Sequence, residues 1–179
     1  MRLRMAATAA LLVLSSALPL GAQESGGGPD RSQTISFSPI LALFEILQAD
    51  YELRVHPEAT AGLGVGYWNF GDAETNDEVG FLALDLKGRF YPDRAFEGFA
   101  FGGSIGVTQI EYFDDSTEAD EKQTGFTFGI EVSRAWLLGD ENRFFLAAGL
   151  GAKRYWFDDV DDDVPVVLPT GRLGVGIAF

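Results

Sequence analysis

The strongest signal along this chain is an alternation of apolar with small or polar residues at period two, the spacing of a strand whose two faces meet different surroundings. In "LQADYELRV", Leu47, Ala49, Tyr51, Leu53 and Val55 share one face, and Gln48, Asp50, Glu52 and Arg54 share the other. "FLALDLKGRF" sets Leu82, Leu84 and Leu86 against Ala83, Asp85, Lys87 and Arg89. "GFTFGIEVS" sets Phe126, Phe128, Ile130 and Val132 against Thr127, Gly129, Glu131 and Ser133. "AGLGVGYW" and "LAAGLGAKRY" repeat the pattern with glycine and alanine on the second face. At the end of the chain Leu173, Val175, Ile177 and Phe179 alternate with Arg172, Gly174, Gly176 and Ala178.

The pattern predicts strands over roughly 34–44, 47–55, 59–70, 79–91, 98–111, 124–137, 144–156 and 166–179. The first connection, near Phe44–Leu47, carries no glycine or proline. The later connections are of two kinds, and the kinds alternate. Three are acidic: 71–78, 112–123 and 157–165. Three are short turns: 55–59, 91–98 and 137–143. In an up-and-down barrel every second connection lies at the same end. One end therefore collects long acidic loops, and the other collects short turns and both termini. The pattern predicts an all-β fold, an eight-stranded antiparallel up-and-down transmembrane β-barrel over residues 34–179. Strands of about ten residues suit a tilted crossing of the hydrocarbon layer. Aromatic residues cluster where interfacial girdles belong: Tyr67, Trp68, Phe70, Tyr155, Trp156 and Phe157 beside the acidic loops, and Phe90, Tyr91, Phe99, Trp136, Phe144 and Phe179 near the turns.

Side-chain size and charge say which face points inward. The second face is small and carries ionisable residues of both signs: Asp50, Glu52, Asp85 and Glu131 against Arg54, Lys87, Arg89, Lys153 and Arg172. That is four acids to five bases in an otherwise strongly acidic chain. A solvated exterior has no reason to be small and charge-balanced. The narrow interior of an eight-stranded barrel does, because side chains fill it and buried charges must pair. The apolar face then meets lipid, and a closed barrel leaves no backbone edge unsatisfied there.

The N-terminal segment and the composition set the compartment. "MRLRMAATAALLVLSSALPLGAQ" joins Arg2 and Arg4 to an apolar stretch and a small-residue site, so residues 1–22 are expected to be a cleaved signal peptide. Residues 23–33 form a polar, glycine-containing lead-in, expected to be flexible and periplasmic. Losing Arg2 and Arg4 leaves 11 basic against 27 acidic side chains, which moves the formal charge from -14 to -16. Such a chain repels nucleic acid. There is no cysteine, which excludes both disulfides and a lipidated N-terminal Cys.

With these features the chain resembles the small outer-membrane β-barrel proteins of Gram-negative bacteria, of the OmpA/OmpX type and porin-like in family, from "TISFSPILALF" to "RLGVGIAF". The resemblance implies that Leu173, Val175, Ile177 and Phe179 form the signal read by the barrel-assembly machinery. It also implies contact with outer-membrane lipid and lipopolysaccharide and a monomeric state. Because the sequence ends with the barrel, no separate peptidoglycan-binding domain is expected after it.

No site for chemistry emerges. Lipid A deacylases of this shape use a Ser-His-Glu arrangement near the outer leaflet, but the single histidine, His56, falls in a turn at the opposite end. "DDVDDD" at 158–163 lacks the glycine and the spaced Glu of an EF-hand loop. The glycines of "GLGVGYWNFG" recur every second residue and thin one face instead of opening a helix around a nucleotide. No catalytic residue, cofactor or metal is assigned. The expected role is non-enzymatic, structural or cell-surface interaction, with the interior plugged by side chains. The alternative is a barrel that binds or admits a small hydrophobic ligand. A soluble lipocalin-like carrier would need the apolar face inside.

Overall fold

The structure is a computed structural model that describes residues 31–43, 45–71, 78–114, 119–139, 141–157 and 166–179. Eight strands close into one antiparallel barrel in chain order: β1 (Gln33–Phe37), β2 (Ile46–His56), β3 (Ala59–Gly71), β4 (Glu78–Phe90), β5 (Gly98–Asp114), β6 (Ala119–Leu138), β7 (Phe144–Phe157) and β8 (Val166–Ala178). The seam joins β1 to β8 over four residue pairs, Thr34↔Ala178 to Phe37↔Val175. Phe179 extends it: its carbonyl accepts from the Ser32 and Gln33 amides at 3.0 and 2.9 Å, and its amide donates to Gln33 at 3.0 Å. The segments expected to be a signal peptide and most of the lead-in, and the acidic stretch 158–163, lie outside the described residues.

The face assignment follows from register. Residues paired across the strands share a face, so Asp50, Gly64, Asp85, Gly106 and Thr127 stand in one inward-facing row. Leu84, Val107, Phe126, Leu150, Ile130 and Ile177 face outward, and all are exposed. Phe126 is 68% and Leu150 77% exposed, values that a water-facing sheet would carry only at a cost of roughly 25 cal/mol per Å². Inward, the wall is thinned by glycine. A Cβ on Gly176 would stand 1.9 Å from the Ile35 carbonyl oxygen, so the close approach of β8 to β1 depends on that glycine.

The structure departs from the sequence expectation in three places. The first strand ends at Phe37, and one helical turn, α1 (Pro39–Ala42), fills the connection instead of a strand running to 44. Pro39 has no amide to continue the ladder, and Ser38 begins the turn by accepting from the Ala42 amide at 3.2 Å. β5 and β6 run far into the acidic segment 112–123, with Glu111↔Lys122 and Asp114↔Ala119 in register. The 91–97 segment is more than a surface turn. It folds under the barrel and plugs the end at which the short turns lie.

Candidate functional site

Among the described residues, polar and ionisable side chains converge in the lumen, which is layered along its axis. The lowest layer is the plug. The Tyr91 amide donates to the Glu58 carbonyl at 2.7 Å and the Ala95 amide to the Pro57 carbonyl at 2.8 Å, which ties the 91–97 segment to the neighbouring turn. Tyr91 and Phe96 are both 0% exposed. Phe96 packs edge-on to Phe145, with centroids 6.3 Å apart and planes at 87°, and lies 6.3 Å from Tyr91. Ala95, Ala100, Ala135 and Ala147 complete the cluster, their small side chains leaving room for three rings in a narrow barrel. Phe96 has a φ of 70°, in the left-handed region that a bulky residue enters only at a cost of about 1–2 kcal/mol. Burying a whole phenyl ring returns about 1.5–3 kcal/mol, so the strained backbone is affordable for the packing it permits. Burial raises the Tyr91 phenol above the usual tyrosine range, so it stays protonated and acts as a donor.

Above the plug lies a four-membered charge cluster. Arg89 meets Glu52 at 2.8 Å through Nη1 and Glu131 at 2.7 Å through Nε. Arg172 closes the ring, bonding Glu52 and lying 3.5 Å from Glu131. Hydroxyls take up remaining lone pairs: Thr60 donates to Glu52 at 3.0 Å, Ser133 to Glu131 at 3.1 Å, and Tyr91 to Glu52 at 3.5 Å. The guanidinium of Arg172 lies over the Phe145 ring at 5.7 Å, which joins this layer to the plug below. One level higher, Lys87 bonds Asp50, and Lys153 holds both oxygens of Asp85 at 2.7 and 2.8 Å. Thr127 donates to Asp85 at 3.4 Å. Four acids and four bases thus pair in two linked tiers. Arg54, the fifth expected base, stands lower, half-buried opposite Thr60.

Beside these pairs is a cavity of about 80 Å³ lined by Asp85, Lys87, Arg89, Glu131, Lys153 and Arg172. It has room for a few waters and a polar wall to hold them. Toward the acidic-loop end the lumen turns apolar. Trp68 stacks on Phe81 at 4.9 Å, Phe81 meets Tyr155 at 6.5 Å, and Tyr155 stacks on Phe157 at 6.2 Å.

Proximity to the acidic loops groups Trp68, Tyr155 and Phe157 with the interfacial girdle. Register corrects that: Trp68, Tyr155 and Phe157 point inward, while their neighbours Tyr67 and Trp156 point outward. Tyr91 likewise leaves the lower girdle for the plug. Phe96 and Phe145 were not singled out from sequence. Phe145 was readable as an inward residue of its strand, but nothing in "YPDRAFEG" marks Phe96 as buried. His56 is exposed at the end of β2, where its Nδ1 accepts from the Glu58 amide at 3.3 Å. Leu173, Val175, Ile177 and Phe179 lie on the outer face of the seam strand and its extension, with Val175 and Ile177 in register with Phe37 and Ile35.

No family model matches the sequence, and no curated protein matches it. Among solved structures, the chain is similar to the N-terminal β-barrel domain of Pseudomonas aeruginosa OprF. The TM-score is 0.51 at 15% identity, and the match covers 86% of this chain and 100% of that one. At that identity the likeness establishes the eight-stranded barrel fold.

Proposed function

We propose that the chain is a non-enzymatic outer-membrane β-barrel of a Gram-negative bacterium, with a structural or cell-surface interaction role and a lumen closed to ions. The observation that carries the reading is the double barrier: the Tyr91–Phe96–Phe145 plug, with the Glu52–Arg89–Glu131–Arg172 cluster directly above it. A polar pore would need a hydrated path through both. The largely apolar exterior supports the membrane setting, since closure of the eight strands leaves no full-length sheet edge open to lipid. The likeness to the OprF barrel domain supports it at the level of fold. Export through a cleaved N-terminal segment, and reading of Leu173, Val175, Ile177 and Phe179 by the assembly machinery, belong to the same proposal.

Two measurements test it. The folded protein should resist SDS until boiled and then change its gel mobility. In planar bilayers it should show no steady, wide conductance; persistent large channels would overturn the closed lumen. The second reading, a barrel that takes a small hydrophobic ligand, is favoured by the inward rings Trp68, Phe81, Tyr155 and Phe157 at the acidic-loop end. Saturable change in Trp68 fluorescence on adding an apolar probe, lost in Phe81→Ala, would bring that reading forward.

A further inference from the structure

On the outer face, the charged residues of the described strands are few. Glu111 and Lys122 pair at 2.8 Å where β5 and β6 rise toward the acidic segment. Farther from the acidic segment stand Arg134 and Arg154, both exposed among apolar neighbours. Among the described residues neither makes an ion pair or a hydrogen bond through its side chain; each instead lies against aromatic rings. Arg134 stands 5.2 Å over Phe99 and 5.4 Å over Trp136. Arg154 stands 4.8 Å over Trp156.

The directions of these contacts are informative. Trp136 follows Arg134 by two residues along β6, toward the 139–143 turn, so this guanidinium leans to the plugged end. Trp156 follows Arg154 by two residues along β7, toward the acidic loop, so that one leans to the opposite end. The two lean apart. In register, Arg134 stands level with Ala148 on β7, six residues from Arg154. Six residues span about 20 Å along a strand, or about 15 Å along the membrane normal at a tilt of ~40°. The diverging side chains carry their charges farther apart still, toward the edges of an apolar band about 25 Å tall. Long basic side chains at a lipid surface extend their charge to the headgroup level in this way.

Resting on the membrane-barrel reading above, we propose that Arg134 and Arg154 each bind a membrane-lipid phosphate, one in each leaflet, with the stacked aromatic rings fixing the guanidinium fork. A guanidinium held on a ring face keeps its N–H edge free, and that fork matches phosphate oxygens bidentately. Phe99 and Trp136 restrict Arg134 from two sides, so it is the more firmly oriented of the two anchors.

The test uses the full chain in detergent, with phosphatidylglycerol or a phosphate-free galactosyl diacylglycerol added as separate probes and retention read by native mass spectrometry. The wild type should retain up to two phosphatidylglycerols, Arg134→Gln and Arg154→Gln one fewer each, and the double variant no more than it retains of galactolipid. Equal retention of both probes by the wild type, or undiminished phosphatidylglycerol on the double variant, overturns the proposal. In bilayers, dipolar coupling between arginine guanidinium ¹⁵N and lipid ³¹P should be present in the wild type and lost in the Arg134→Lys/Arg154→Lys double variant, which preserves charge and surface. Heat-modifiable migration of the same samples separates the two levels of the claim. A wild type without it overturns the membrane barrel itself, whereas a folded barrel that retains no phospholipid overturns the anchors alone.

Discussion

Glu131 illustrates what a single side chain contributes in this lumen. It accepts from Arg89 and Ser133 and faces Arg172, so removing it leaves two guanidinium groups competing for Glu52 in a poorly hydrated space. Glu131→Ala should cost roughly 3–5 kcal/mol in urea unfolding, the range for breaking a buried pair. Lys122→Ala, which removes the exposed partner of Glu111, should cost no more than about 1 kcal/mol. Equal effects would mean that the lumen is hydrated. At this scale the sequence was legible wherever alternation fixed direction: Asp50, Glu52, Asp85, Lys87, Arg89, Glu131, Lys153 and Arg172 are all inward because each occupies the small face of its strand. Who pairs with whom was not legible, since partners such as Glu52 and Arg172 are 120 residues apart and meet only through strand stagger.

Among the elements, the seam between β1 and β8 is the shortest pairing in the barrel, four residue pairs against seventeen between β5 and β6. Gly176→Ala places a methyl against the Ile35 carbonyl and should sharply lower the yield of SDS-resistant barrel. Gly171→Ala, whose added Cβ meets nothing within 4 Å, should leave the yield unchanged. Unequal legibility is clearest here as well. Strands were recoverable because a period of two persists over ten residues. The turn α1 was not, because its only signals are Ser38 and Pro39, which a strand count reads as a pause. The rim aromatics were assigned by proximity to loops, yet Tyr67 and Trp68 are neighbours with opposite directions, and only register separates them.

For the whole molecule, the plug and the charge cluster act as independent barriers in series. Phe96→Ala should lower stability by about 3–5 kcal/mol, the usual cost of deleting a buried phenyl ring, and relieve the backbone strain only slightly. Conductance in planar bilayers should stay absent, because the Glu52–Arg89–Glu131–Arg172 layer still spans the lumen. Steady current through this variant would make the plug the sole closure. The plug was the least legible feature of the fold: "YPDRAFEG" has the chemistry of a turn, and its burial depends on Pro57 and Glu58 of a different turn receiving its amides.

The brevity of the seam also has a temporal side. β5 and β6 are separated by only four residues, so their contact is local and inexpensive in chain entropy, whereas Thr34 and Ala178 lie 144 positions apart. Contacts of such sequence separation form late. Until they form, the nascent sheet carries two unpaired edges, and either could recruit a foreign strand. The same asymmetry persists after folding as unequal opening rates. Amide hydrogens of β1 should exchange with deuterium well before those at the centre of β5 and β6.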